Sequence, residues 1–149
     1  MRIFIDADGC PVVDITLRIA AKHGIPVTIV CDTAHDFSGR GAEVITVGKG
    51  ADSADLALVN LLHKGDIAVT QDYGLAAMCL AKKAYAINQN GIVYTNDNID
   101  SMLMTRHINK KLMRGGKHPK GQKKRTQDQD RDYAAAFEKL ITETMSKEV

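Results

Sequence analysis

Residues 2–11, RIFIDADGCP, place a short apolar run directly before two aspartates, a glycine and a proline. The apolar run predicts a buried strand that ends at Asp6. Pro11 predicts the start of a helix, because a proline at the first helical position loses no hydrogen bond. A strand, an acidic turn and a helix in this order indicate the opening of a βαβ unit.

The same alternation continues along the chain. Apolar runs predict further strands at 27–30, 43–47, 67–70, 85–88 and 92–95. Apolar faces at helical spacing predict helices at 11–23, 52–63, 75–82, 98–113 and 133–145. This order predicts an α/β fold with three layers, in which a mainly parallel sheet carries helices on both faces. We expect one domain over 1–113, a basic loop or arm over 114–130, and a C-terminal helix within 131–149 that packs on the same domain.

The length and composition of the chain favour some classes of protein over others. The chain has 149 residues, of which 44% are hydrophobic, so it can fill one domain core. It contains no apolar run of the ~18 residues that a membrane span needs, and its early acid argues against a signal peptide. Three widely spaced cysteines without a CxxC pair favour neither a disulfide framework nor a zinc knuckle. These features predict a cytoplasmic protein that does not contact a membrane.

Charge is unevenly distributed along the chain. Residues 1–100 carry 8 Lys and Arg against 12 Asp and Glu, whereas 101–127 carry 9 basic residues and no acid. Residues 128–149 carry 3 basic residues and 6 acids. An acidic body with one basic strip suits a polyanionic partner. A metal ion would bridge this partner to the acids, and the basic strip would bind it elsewhere. The alternative is a strip that is simply solvated.

Several aspartates follow the predicted strands. Asp6 and Asp8 follow the first strand, Asp52 and Asp55 follow the third, and Asp72 follows the fourth. Ligands of parallel α/β sheets bind at the carboxyl ends of the strands, where these side chains would gather. Crowded carboxylates repel one another, and hard oxygen ligands without Cys or His suit Mg²⁺ or Mn²⁺. Such a site can activate water and hold a phosphodiester.

Helix capping is the alternative interpretation of these acids. Aspartate is a favoured N-cap, and each of these strands is followed by a helix. Asp52 and Asp55 have the spacing of a capping pair, and Asp72 could cap the next helix. Lys49 lies between two glycines, where it could contact a phosphate or simply occupy a turn. The sequence leaves both interpretations open.

Four motifs together resemble a known family. They are IDADGCPV at 5–12, GADSAD at 50–55, TQDYGLA at 70–76 and DRDYAAAFEKL at 130–140. In this order, and over nearly the whole chain, they resemble the YaiI/YqxD family of uncharacterised bacterial proteins. The fold pattern is similar to the PIN-like nuclease superfamily, including its NYN branch.

The resemblance implies roles for the aspartates. Asp6 matches the acid that ends the first strand of PIN-like domains, Asp52 and Asp55 match their helix acids, and Asp72 matches the acid after a later strand. Asp6, Asp52 and Asp72 would then be catalytic, and Asp8 and Asp55 would complete the metal site. The helix acid that many PIN domains carry between the second and third strands has no clear equivalent in this chain.

We therefore expect a Mg²⁺- or Mn²⁺-dependent nuclease that acts on RNA. The unassigned apolar faces are compatible with a homodimer. The basic residues expected to hold the RNA backbone are Lys49, Arg106, Lys110, Lys111, Arg114, Lys117, Lys120, Lys123, Lys124 and Arg125. One alternative is a PIN-like module that binds RNA or protein without catalysis. Another is a phosphatase of the haloacid-dehalogenase type, in which Asp6 of the DxDG motif would accept the phosphoryl group.

Overall fold

The computed structural model describes residues 1–32, 37, 40–48, 53–104 and 124–147. Five strands lie within these ranges: β1 Ile3–Asp6, β2 Val27–Cys31, β3 Glu43–Thr46, β4 Ile67–Val69 and β5 Tyr85–Ile87. Five helices lie there too: α1 Val13–Lys22, α2 Ser53–Leu61, α3 Tyr73–Ala81, α4 with its described part at 96–104, and α5 Gln127–Lys147. None of these described helices is long and apolar enough to cross a membrane.

The five strands form one parallel sheet in the order β3-β2-β1-β4-β5. Ile3 of β1 is opposite Val27 of β2 on one side and Ile67 of β4 on the other. The chain therefore builds outward from β1 to β3, and then returns to the opposite side of β1 to place β4 and β5. The predicted three-layer α/β fold is confirmed. The strand order reverses between β1 and β4, which is where parallel sheets bind their ligands.

Alternation along the strands produces two apolar cores, because successive strand residues point to opposite faces. Ile3 and Ile5 of β1 face the core that α1 and α5 cover, whereas Phe4 faces the core of α2, α3 and α4. All three side chains are at most 3% exposed. Burial on both faces explains why these strands are continuous apolar runs rather than alternating ones.

Helix α5 is an integral part of the first core. Tyr133 and Phe137 are fully buried, and their rings stack with centroids 5.5 Å apart. The Tyr133 hydroxyl is 2.7 Å from the Thr16 hydroxyl, which itself donates to the Val12 carbonyl at 2.7 Å. This buried hydrogen-bonded chain fixes α5 against α1.

Most predicted bounds differ from the structure by one or two residues, and three differences change the local description. Helix α1 begins at Val13, because residues 11–12 form a turn. Over 92–95 the expected strand is reduced to one antiparallel bridge between Val93 and Ile87. Helix α5 begins at Gln127, so residues 127–130 are helical, whereas their composition predicts part of the arm. Thr126 and Gln129 exchange hydrogen bonds there in a capping box that starts the helix early.

Candidate functional site

The carboxyl ends of β1 and β4 meet where the strand order reverses. Asp6 is the last residue of β1, and Thr70 is a buried residue directly after β4. The Thr70 hydroxyl donates to Asp6 Oδ2 at 2.8 Å and accepts the backbone N–H of Asp72 at 3.0 Å. One hydroxyl therefore contacts the carboxylate of Asp6 and the backbone of Asp72, two of the predicted site aspartates.

Asp72 is the N-cap of α3. Its Oδ1 accepts the backbone N–H groups of Gly74 at 2.8 Å and Leu75 at 3.2 Å. A Cβ atom at position 74 would lie 3.3 Å from this oxygen, so the glycine allows the close approach. The capping interpretation is thus correct for Asp72. A cap uses one oxygen in these contacts, and a carboxylate offers further lone pairs to another ligand.

Asp8 lies in the turn after β1. Its two oxygens accept the backbone N–H of Asp32 at 3.0 and 3.3 Å, which connects the loops that follow β1 and β2. On the other side, the Gln71 side-chain amide donates to the Gly9 carbonyl at 2.9 Å. The loops after β1, β2 and β4 are therefore held together at one edge. We call this region, formed by residues 6–9 and 70–72, the acidic edge.

Within the acidic edge, burial and neighbouring acids disfavour the charged form of Asp6. Burial raises the pKa of the Asp6 carboxyl above its ordinary value, the hydrogen bond from Thr70 partly opposes this, and the charges of Asp72 and Asp8 raise the pKa further. A carboxyl whose pKa is raised by burial and by neighbouring acids is typical of sites that a counter-charge completes.

The Cys79 thiol of the second core is influenced by charges from several elements, among them Lys82, which lowers its pKa. Burial raises the pKa of the Cys79 thiol to about 12, and the charges of Asp6 and Asp55 add to the shift. Asp55 lies half-buried in the first turn of α2 and acts on the same thiol as Asp6. Asp52 and Lys49 lie outside the described residues, so their predicted roles stay predictions.

The described carboxylates of the acidic edge do not form a closed metal cage, but they could hold a hydrated Mg²⁺. The described part of the chain contains no group of three His, Cys, Asp or Glu side chains placed to hold a metal ion. Mg²⁺ needs only one or two carboxylates, because it retains waters and takes further oxygens from a substrate phosphate. Asp6 beside Asp72 supplies hard oxygen donors of this kind.

The structure describes two of the predicted RNA-binding cations. Lys124 is exposed. Arg125 donates to Asp130 at 2.6 Å, to the Gln89 carbonyl at 2.6 Å and to Asn90 Oδ1 at 3.1 Å. These contacts bind the residues before α5 to the turn after β5. The other basic residues of the predicted strip lie at 106–123, outside the described residues.

The three cysteines lie in the two cores or pack against them. Cys31 and Cys79 are fully buried, and burial raises the pKa of the half-buried Cys10 thiol to about 11. A thiol with such a pKa is almost entirely protonated at neutral pH, which makes it a poor nucleophile.

Thr70 is the site residue that sequence reasoning does not find. By pattern alone it is only the end of a strand before Gln71 and Asp72. A hydroxyl side chain at the last position of an apolar strand nevertheless indicates a candidate site residue, because it places a hydrogen-bond donor at the ligand-binding edge.

Replacing Thr70 by valine should raise the pKa of Asp6 further, since it removes the hydrogen bond that favours the charged carboxylate. The side-chain volume is nearly unchanged. An NMR titration of the Asp6 carboxyl carbon measures the effect directly. Thr70→Ser keeps the donor and should titrate like the wild type; equal titration curves for the valine variant and the wild type would contradict the assigned hydrogen bond.

The fold and the acidic edge together define a three-layer α/β protein with carboxylates at the topological switch point. The family model described as the uncharacterized YaiI/YqxD family matches residues 4–143, and the chain belongs to that family. No solved structure matches the chain significantly.

Curated relatives cover nearly the full chain. A UPF0178 protein of Exiguobacterium sibiricum is 54% identical over 143 residues, which are 96% of this chain and 98% of the relative. A UPF0178 protein of Clostridium acetobutylicum is 53% identical over 143 residues, 95% of this chain and 97% of the relative. A third, from Alkaliphilus oremlandii, is 48% identical over 149 residues, 99% and 95% of the two chains.

Proposed function

We propose that this protein is a Mg²⁺- or Mn²⁺-dependent nuclease that hydrolyses phosphodiester bonds in cytoplasmic RNA. The observation that carries the proposal is the half-buried Asp6 carboxylate, which accepts a hydrogen bond from Thr70 and whose pKa is raised by burial and by the charges of Asp72 and Asp8. A divalent cation would relieve this repulsion, and the phosphate of a substrate would share the cation. The resemblance to PIN-like nucleases supports the same chemistry.

Asp6 and Asp72 would hold the metal from the ends of neighbouring strands, with Asp52 as the third catalytic carboxylate. Asp8 and Asp55 would adjust the charge around them. Bound Mg²⁺ would supply a Lewis acid for the phosphate and lower the pKa of an attacking water. Thr70 keeps the Asp6 carboxylate oriented, and the Asp72 cap on α3 fixes its backbone, so both donors are positioned before the substrate arrives.

The basic strip would bind the RNA backbone. Nine basic residues and no acid between 101 and 127 provide a sequence-independent attraction for phosphates. The strip follows α4 and precedes α5, and Arg125 holds its C-terminal end beside the turn after β5. That turn follows a strand at its carboxyl end, which is also the edge where Asp6 and Asp72 lie.

A binding module without catalysis is the second candidate function. The observation that favours it is the capping role of Asp72, together with the two backbone hydrogen bonds that Asp8 accepts. In that case the aspartates would stabilise loops, and RNA binding would not depend on a metal. The phosphatase alternative has less support, because Asp72 alone follows the later strand where such enzymes carry an acidic pair.

Metal binding and cleavage separate the two candidates. We expect calorimetry to detect Mn²⁺ binding to the wild type and to lose it in Asp6→Asn/Asp72→Asn. Fluorescently labelled single-stranded RNA should be cleaved by the wild type with Mg²⁺ or Mn²⁺, and not by the double variant. Asp100→Asn removes one exposed carboxylate from α4 and should leave both results unchanged. RNA binding without metal binding or cleavage by the wild type would establish the binding module instead.

The salt dependence of RNA binding tests the basic strip. Replacing both Lys123 and Lys124 by alanine should reduce the slope of log K against log salt by about 0.7 for each phosphate on single-stranded RNA that is no longer neutralised. Fluorescence anisotropy between low and moderate salt measures the slope. Lys22→Ala, on α1, is the control for overall charge. An unchanged slope in the double variant would exclude these two lysines from the interface.

A further inference from the structure

A cavity lies at the β5 edge of the sheet. Its volume is about 690 Å³, within the range of roughly 300–1,000 Å³ typical of small-molecule sites. It opens between the turn after α3, residues 93–96 and one face of α5. Apolar side chains form much of its surface: Leu80, Ala84, Val93, Tyr94 and Leu140. We call this cavity the edge cleft.

The described residues that line the edge cleft do not include those of the acidic edge, although Gly91, in the turn after β5, is one of the lining residues. Lys64 and Lys83, which line it, lie in the turns that lead into β4 and β5, and the Gly65 N–H donates to the Lys83 carbonyl at 3.2 Å. These turns are at the amino ends of the strands, whereas Asp6 and Asp72 are at the carboxyl ends. A ligand in the edge cleft would therefore not occupy the proposed metal site.

The charges that line the edge cleft are mainly positive. Lys64, Lys83 and Lys139 are among its lining residues. Among the described residues that line the cleft, Glu143 is the one carboxylate, and it lies 3.9 Å from Lys139. Lys64 and Lys83 thus bring positive charge beyond what Glu143 balances. An apolar floor with cations at its rim is complementary to an organic anion.

Lys83 has an unusual backbone conformation. Its φ of 65° places it in the left-handed region, and it is the single described non-glycine residue with a positive φ. Its N–H donates to the Leu80 carbonyl, and the Ala84 N–H donates to the Cys79 carbonyl, which is the pattern of a Schellman helix end. Glycine usually occupies this position because a side chain is strained there. Such strain is concentrated at functional sites.

We propose that the edge cleft binds a small organic anion, in which a phosphate, sulfonate or carboxylate group is attached to a flat apolar body. The rim lysines contact the anionic group, and the apolar floor contacts the body. Lys83 occupies a position that favours glycine because its ammonium group is needed at the rim. This site is independent of the proposed nuclease activity.

The binding test uses the full-length protein and 1-naphthyl phosphate, which combines both chemical parts. In an amide NMR titration we expect shifts confined to the lining residues of the edge cleft. Inorganic phosphate and 1-naphthol, which each supply one part, should bind at least about tenfold more weakly. Shifts at residues 6–9 instead, or equally strong binding of phosphate alone, would overturn the proposal.

Two further ligands identify the type of anion. Adenosine monophosphate that binds more tightly than 1-naphthyl phosphate would support a nucleotide as the natural ligand, and the reverse order would support an aromatic or acyl anion. If neither compound shifts the lining residues, the edge cleft is not an anion site.

Variants of Lys83 separate binding from folding. Lys83→Gly removes the ammonium group and suits the left-handed backbone, so the melting temperature should stay equal or rise while binding weakens about tenfold. Lys83→Asn tolerates the same backbone and should also lose binding. Arg18→Ala removes one exposed charge from α1 and should bind like the wild type. Undiminished binding by both Lys83 variants would contradict the proposed role.

Discussion

Asp6→Asn is expected to make the protein more stable and to abolish its proposed nuclease activity. Burial and the charges of Asp72 and Asp8 disfavour the Asp6 carboxylate, so a neutral amide removes an unfavourable interaction and can still accept the hydrogen bond from Thr70. Single stabilising substitutions contribute about 1 kcal/mol, which raises the melting temperature by roughly 3 °C. Loss of a metal-binding carboxylate should lower the cleavage rate at least about a hundredfold.

The direction of the Asp6 pKa shift determines how the stability gain of Asp6→Asn depends on pH. The folded-state pKa of Asp6 lies above its ordinary value of 3.8, so the folded protein binds the proton more tightly than the unfolded chain. The penalty from Asp6 is complete above the folded-state pKa and disappears as the pH falls below the unfolded value. The stability advantage of Asp6→Asn should therefore be greatest near pH 7 and shrink as the pH approaches about 4. Urea denaturation at several pH values measures it.

In the presence of Mg²⁺ the wild type should become more stable than Asp6→Asn. A cation that binds the folded wild type raises its melting temperature, whereas the variant lacks the carboxylate that holds it. Asp100→Asn is the matched control and should follow the wild type at every pH and Mg²⁺ concentration. A variant that is less stable than the wild type at pH 7 would show that Asp6 is a structural carboxylate rather than a strained ligand.

Phe137→Ala is expected to cause the largest loss of stability. Phe137 is fully buried between the sheet and α1 and stacks on Tyr133. Truncation of a buried phenylalanine costs about 3–5 kcal/mol, because the ring no longer packs in the core and a cavity remains. The melting temperature should fall by roughly 10–15 °C. Urea unfolding followed by far-UV circular dichroism measures the change in the free energy of unfolding.

Met145→Ala is the control on the same helix. Met145 is 40% exposed, so its truncation should change the free energy of unfolding by less than about 1 kcal/mol. A comparable small loss for Phe137→Ala would mean that α5 does not pack against α1 in solution. A large loss confined to Phe137→Ala would confirm that the helix after the basic strip is part of the domain core.

Local features of the sequence are enough to predict the class of fold. Buried strands are short apolar runs and the helices follow periodic apolar faces, and both patterns depend on neighbouring residues alone. The placement of Asp6 at the end of β1 and of Asp72 before α3 follows directly from these patterns. The early start of α5 is also encoded locally, in Thr126 and Gln129, but the polar composition around this capping box resembles that of a loop.

The capping role of Asp72 is an example of a contact that local sequence patterns do not decide. The sequence around a strand-end aspartate before a helix looks the same whether the aspartate caps the helix, binds a metal or does both. The pattern does not contain the distances between the carboxylate and its partners. Similarly, Arg125 belongs by composition to the basic strip, yet in the structure it donates to Asp130, Gln89 and Asn90. Contacts over 35 or more residues depend on how the whole chain packs.

The sequence by itself determined that strands and helices alternate, that acids follow the strands, and that one strip is basic. Only the tertiary structure decided that β4 lies beside β1, because strand order depends on which crossovers let helices bury both faces of the sheet. That order brings Thr70 within 2.8 Å of Asp6, which is 64 residues away in the chain. It also leaves β5 at the edge, where the cleft beside Lys83 forms.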